Sequence, residues 1–190
     1  MRVIFLGPPG SGKGTQSKIL AERNGLVYLG TGDMLREAIA NRTPAGLRAK
    51  PFVESGQLAP DELVDELVAE RLNRPDQPDR FVIDGYPRTL PQAKALDRLL
   101  ESKNLGLTAV LVMIVPDEEI VRRLRGRQRD DDKEETVRSR LVEFHRQTSA
   151  IAQHYRAKGI RHEVSGIGAI EDVYNSIVKI LQTAPGSAPC

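Results

Sequence analysis

Five short apolar runs punctuate the chain, at residues 3–6, 26–29, 81–83, 109–115 and 160–164. Each is too short for a helix and is bounded by glycine, proline or charge, so each predicts a buried strand, the fifth most weakly. Between them, residues 15–23, 61–72, 91–103, 117–125, 134–158 and 170–181 carry apolar positions at helical spacing. Strands that alternate with helices predict an α/β fold, a five-stranded parallel sheet with helices on both faces. Asp61, directly after Pro60, reads as the cap of its helix.

Two stretches break the rhythm. Residues 30–59 contain short helical pieces punctuated by Pro44, Gly46, Pro51 and Gly56, with no strand pattern. Residues 126–136 are polar and dense in charge. Both read as mobile inserts in a core made of 1–29, 60–125 and 137–182. The small, proline-rich tail 183–190 is expected to fray.

Composition narrows the functional classes. Of 190 residues, 39% are hydrophobic and 28% charged, the balance of a globular domain. Only 4% are aromatic and Trp is absent, which argues against a protein that stacks single-stranded bases. A net charge of +2 gives no support to a nucleic-acid partner. The lone cysteine, Cys190, allows no internal disulfide and fits a reducing, cytoplasmic setting. The N-terminal apolar run is too short for a signal peptide, and no run approaches a membrane span.

The strongest chemical signal is Gly7-Pro8-Pro9-Gly10-Ser11-Gly12-Lys13-Gly14-Thr15. It follows a predicted strand and precedes a predicted helix, as a phosphate-binding loop must. Glycines let successive N–H groups converge on a phosphate, the helix N-terminus adds its positive end, and Lys13 supplies a point charge. Gly10, Ser11, Gly12, Lys13, Gly14 and Thr15 are therefore the candidate phosphate-binding residues. Gly14 stands where the general motif has Ser or Thr, and the hydroxyl comes one residue later, at Thr15. Asp84 ends the third apolar run, where a carboxylate opposite such a loop can hold Mg²⁺ through water. Arg88, four residues on, offers a planar fork suited to phosphate oxygens.

GPPGSGKGT resembles the loop of nucleoside-monophosphate kinases, and the chain as a whole resembles the adenylate kinase family in its bacterial, short-lid form. The likeness spans residues 1–181 and rests on separated motifs in order: Thr31-Gly32-Asp33-Met34-Leu35-Arg36, Gly56-Gln57-Leu58-Ala59-Pro60-Asp61-Glu62, Asp84-Gly85-Tyr86-Pro87-Arg88-Thr89 with Gln92, and the arginines between 123 and 140. It implies a P-loop nucleotide kinase that transfers the γ-phosphoryl group of ATP to AMP with Mg²⁺. Its partners are then ATP, AMP and ADP, and it is a monomer with neither nucleic acid nor membrane.

The resemblance also assigns roles. Residues 30–59 become the AMP-binding insert and 126–136 the lid. Arg88 and Arg36 grip the acceptor phosphate. Thr31, the backbone of Gln57, Leu58 and Ala59, the Gly85-Tyr86-Pro87 turn and Gln92 surround the acceptor nucleoside. Arg123 and the backbone at Gly168 meet the donor adenine, though Gly168 also reads as an ordinary loop glycine. Arg127 meets donor phosphate, and Arg129 and Arg140 meet the transferred group. Catalysis falls to Lys13, Arg88, Arg129 and Arg140. The acidic run 130–135 reads as a charged turn leading into a helix, or as a hinge in which Asp131 or Asp132 pairs with a lid arginine. No zinc is expected in the lid, since 126–136 holds neither Cys nor His. A UMP/CMP kinase shares the loop, the DG-aromatic-PR turn and the short lid, but Thr31 and Gln92 argue against it. A nucleotide-binding module without activity is the rival outside enzymes, and intact Lys13, Asp84, Arg88, Arg129 and Arg140 argue against that.

Overall fold

The computed structural model describes residues 1–54, 57, 59–74, 79–125 and 134–184; within the last segment the side chains of 134–136, 139, 140 and 143 are outside the description. The elements run β1 (Arg2–Leu6), α1 (Lys13–Asn24), β2 (Val27–Gly30), α2 (Thr31–Ala40), α3 (Pro44–Glu54), α4 (Asp61–Asn73), β3 (Phe81–Asp84), α5 (Leu90–Ser102), β4 (Ala109–Ile114), α6 (Asp117–Arg125), α7 (Glu134–Ala157), β5 (Arg161–Ser165) and α8 (Ile170–Thr183). The five expected strands and six expected core helices are all present.

The sheet is parallel throughout, in the order β2-β3-β1-β4-β5. Successive side chains of β1 point to opposite faces. Val3 and Phe5 join a core with Leu20 of α1 and Ile177 of α8; Ile4 and Leu6 join another with Leu72 of α4, Leu96 of α5 and Tyr155 of α7. Burying both faces explains why these strands read as continuous apolar runs rather than alternating ones. Each such side chain stabilises the fold by about 1.5–3 kcal/mol. After β1 the chain crosses to β2 on one side, and after β3 it crosses to β4 on the other. The crevice beyond the C-terminal ends of β1 and β3 is therefore the switch point where ligands bind in open α/β sheets.

Residues 30–59 form two well-defined helices, α2 and α3, joined to α4 by a small core of Ala38, Ala45, Ala49, Leu63 and Leu67. The residues that look like breakers lie inside α3. Pro44 opens the helix, where a missing N–H costs nothing. Gly46 lets the helices touch: a Cβ there would fall 2.0 Å from the Ala38 carbonyl oxygen. Pro51 sits in the helix interior.

Asp61 departs from expectation. Pro60 occupies the cap position and Asp61 is the first helical residue, its carboxylate turned to Thr89 and Gln92 instead of to its own helix end. Among the described residues, no helix is long and apolar enough to cross a membrane.

Candidate active site

The loop between β1 and α1 lines an open cleft of about 1760 Å³, together with the end of β3, parts of α2 and α6, the middle of α7 and the β5–α8 turn. Gly10 (φ +82°) and Gly12 (φ +90°) take left-handed conformations that turn the loop back on itself, and Ser11 N–H donates to the Pro8 carbonyl at 3.2 Å. Ser11 is fully buried, and its hydroxyl oxygen has no hydrogen-bond partner among the described residues. Lys13, at the start of α1, donates from Nζ to the Pro8 carbonyl at 3.2 Å, folded back over its own loop. Gly10 to Thr15 all line the cleft.

Asp84 faces this loop from the end of β3. A Cβ on Gly14 would lie 3.2 Å from Asp84 Oδ2, so glycine at this position leaves room between the loop and the carboxylate. Asp84 Oδ2 accepts from the Tyr28 hydroxyl at 3.1 Å, while Oδ1 is buried with no hydrogen-bond partner among the described residues. Burial, and then the Asp84 charge, push the Tyr28 phenol far above its ordinary pKa, which keeps it a donor.

The opposite wall carries two arginines. Arg36, on α2, pairs with Asp33, and Arg88 holds the Gly85 carbonyl from Nε at 2.8 Å. Gly85 and Pro87 share this wall. At the far end, Arg123 donates to Glu119 at 2.7 Å and to the Gly166 carbonyl at 2.9 Å, which ties α6 to the turn that carries Gly168. Hydrogen bonds from Arg122 and then Arg123 pull the Glu119 carboxyl down to about 2.

Not every expected residue stands on the cleft wall. Thr31, Tyr86 and Gln92 are buried behind it, each 3% exposed or less. Thr31 donates to the Asp84 carbonyl at 3.4 Å, and Tyr86 donates to Asp65 at 2.5 Å. Gln92 accepts from the Arg88 N–H at 2.6 Å and donates to Asp61 at 2.9 Å. Gln57 is exposed, and Ala59 packs against the core. Leu58, Arg127, Arg129 and most of 126–136 lie outside the described residues, as does the side chain of Arg140 on α7. Four placements had no signal in the sequence: Tyr28 beside Asp84, Asp61 beside Gln92, and Phe144 and Thr148 of α7 along the cleft. Each depends on a meeting of distant segments.

Comparison with known proteins agrees with this architecture. A family model described as adenylate kinase matches residues 5–160. The chain is 47% identical over 191 aligned residues to an adenylate kinase of Sinorhizobium medicae, covering 95% of this chain and 100% of that one. It is 42% identical to an adenylate kinase of Archaeoglobus fulgidus over 96% of this chain and 98% of the relative, and 42% identical to one of Leptospira biflexa over 94% and 98%.

Proposed function

The chain belongs to the adenylate kinase family, and from that premise we infer how its cleft serves the family's reaction. The reaction moves the γ-phosphoryl group of ATP to AMP and yields two ADP, reversibly. An AMP phosphate oxygen attacks the γ-phosphorus as the bond to the β–γ bridging oxygen breaks, and the leaving group is ADP. No proton needs to move, because the attacking oxygen is already anionic. The protein's task is to align the two phosphates and offset their charge.

The observation that carries this assignment is a single cleft with two cationic poles. Lys13 and the loop N–H groups stand at one, Arg36 and Arg88 at the other. ATP takes the loop, with its base toward Arg123 and Gly168. AMP takes the arginine wall, with its base toward Thr31 and Gln92; since both are buried, that base reaches them only when their cover shifts. Helices α2 and α3 act as the acceptor flap. Residues 126–136 serve as a lid without zinc, carrying Arg127 and Arg129, and Arg140 joins them at the transferred group. Closing the two excludes water, which otherwise would accept the phosphoryl group.

Mg²⁺ fits this site. Asp84 offers a buried carboxylate oxygen with no partner among the described residues, and a Cβ on Gly14 would come within 3.2 Å of the carboxylate, so glycine there keeps the space open. Asp84 would hold the ion through water, and the bound ion would offset charge on the phosphate oxygens. We place the enzyme in the cytoplasm.

A coupled assay with ATP and AMP, CMP, UMP or GMP tests the assignment. ADP should form with AMP far faster than with the others, by at least about 100-fold in kcat/KM. Comparable turnover of UMP or CMP would replace it with a pyrimidine kinase.

A further inference from the structure

We propose that Asp61 sets which purine the acceptor site takes, by locking the side-chain amide of Gln92 in one orientation. The proposal rests on the assignment of Gln92 to the acceptor base.

The lock is a short chain of hydrogen bonds. Asp61, the first residue of α4, accepts from the Thr89 hydroxyl through Oδ2 and from Gln92 Nε2 through Oδ1, the latter at 2.9 Å. Having given its only hydrogen to Asp61, the Thr89 oxygen accepts from the Gln92 backbone N–H at 3.3 Å. Gln92 Oε1 accepts from the backbone N–H of Arg88 at 2.6 Å. An amide usually can turn over and exchange its oxygen for its nitrogen with little change of shape. Here the exchange is blocked twice. A flipped amide would press its NH₂ against the Arg88 N–H and its carbonyl against the Asp61 carboxylate. Gln92 is only 2% exposed, so water does not relieve either mismatch.

The locked amide keeps one hydrogen on Nε2 and one lone pair on Oε1 beyond these bonds. That leaves one donor and one acceptor in a fixed order. The edge of adenine carries an N6–H donor beside the N1 acceptor and matches that order. A 6-oxopurine carries an O6 acceptor beside an N1–H donor, the reverse order, so both contacts become repulsive. Discrimination between the two purines therefore resides in Asp61 and the Arg88 N–H, which act through Gln92. Asp61 is a positioning residue and touches neither substrate.

Three acceptors test this on the unmodified enzyme: AMP, purine riboside 5′-monophosphate and IMP. The second lacks any 6-substituent, and the third has the reversed edge without the 2-amino group of guanine. A locked amide makes a mismatched edge worse than a bare one. The expected order in kcat/KM is AMP, then purine riboside monophosphate, then IMP, with AMP ahead of IMP by about 100-fold. An amide free to turn would serve IMP at least as well as purine riboside monophosphate, and that order overturns the proposal.

Variants separate the lock from the assignment beneath it. In Asp61→Asn the flipped amide meets one wrong partner instead of two, and the AMP:IMP ratio should narrow by about tenfold while the KM for ATP stays within about twofold. Thr89→Val disturbs the same corner but leaves the Asp61–Gln92 bond, and its ratio should stay within about twofold of the parent. Equal narrowing in both variants would mean general loosening and would overturn the proposal. If Gln92→Leu abolishes discrimination and Asp61→Asn preserves it, the lock fails and the assignment of Gln92 stands. If Gln92→Leu leaves discrimination intact, both fail. Should Asp61→Asn not fold, the three-acceptor series still decides.

Discussion

The Tyr28 hydroxyl donates to Asp84 Oδ2 at 3.1 Å across the C-terminal ends of two adjacent strands, β2 and β3. Parallel pairing sets Gly30 beside Asp84 and Tyr28 beside Val82, so the tyrosine ring spans the gap to reach the carboxylate. One carboxylate oxygen is thereby fixed, and the other has no hydrogen-bond partner among the described residues. Partners of a metal-holding carboxylate typically matter by about 10–100-fold. Tyr28→Phe should therefore lower kcat by about tenfold and raise the Mg²⁺ concentration needed for half-maximal rate, with the KM for AMP nearly unchanged. Initial rates titrated with Mg²⁺ check this; an unaltered Mg²⁺ dependence would sink it.

Lys13→Met removes an ammonium from the loop while keeping a similar stem. Its Nζ is held against the Pro8 carbonyl, so it is already placed over the phosphate-binding backbone. A charged group acting on developing charge is worth about 100-fold or more, and kcat should fall by at least that much. The circular dichroism spectrum should be unchanged, because the side chain is only half-buried and the loop glycines carry the turn. A variant that keeps a tenth of the activity, as an order-of-magnitude threshold, contradicts the role.

Arg36 and Arg88 occupy the same wall but are held differently. Arg36 is an exposed side chain paired with Asp33 on its own helix, whereas Arg88 is tied back to the turn after β3. Arg36→Ala should mainly raise the KM for AMP, by about tenfold, since it removes binding common to ground and transition states. Arg88→Ala should lower kcat itself by about 100-fold. If both act on one phosphate, as proposed, the double variant should be less damaging than the product of the two. A strictly multiplicative double variant would place them on separate groups.

Strands and core helices were legible because burial on both sheet faces leaves a continuous apolar signal, as in Val3-Ile4-Phe5-Leu6. The phosphate loop was legible because one backbone shape demands its glycines. Helix α3 was obscured by Pro44, Gly46 and Pro51, whose meaning changes with position: the first opens the helix and the second admits the Ala38 carbonyl. The partners of Tyr28 and Asp61 were illegible for another reason. They lie 56 and 31 residues away in sequence, and a hydrogen bond across such a distance leaves no local pattern.

Gly46 makes the packing of the proposed acceptor flap testable without any substrate. No small adjustment accommodates a methyl group 2.0 Å from a backbone oxygen, so α2 and α3 must move apart. Overpacking of this kind costs about 1–3 kcal/mol, and here backbone rather than a flexible side chain must yield. Gly46→Ala should lose about that much in urea denaturation, or show an early transition confined to the flap. It should also raise the KM for AMP more than that for ATP. Full stability with unchanged kinetics would contradict the close approach of the two helices.

Glu119 anchors Arg123, the cation assigned to the donor base, and its titration sets where that anchoring can fail. Hydrogen bonds from Arg122 and Arg123 lower its folded pKa from the ordinary 4.5 to about 2. A depressed carboxylate contributes fully above its unfolded value and loses that contribution as pH falls through the folded one. The pair is thus intact from about pH 5 upward and fades only toward pH 2. The KM for ATP should accordingly show no titration from this group between about pH 5 and pH 9. Glu119→Gln keeps the shape but drops the charge, so the bond from Arg123 to residue 119 loses its charge assistance while the bond to the Gly166 carbonyl stays. The KM for ATP should then rise by about fivefold at every pH in that range, with the KM for AMP within about twofold. If Glu119→Gln instead raised both constants equally, Arg123 would be serving the cleft as a whole rather than the donor.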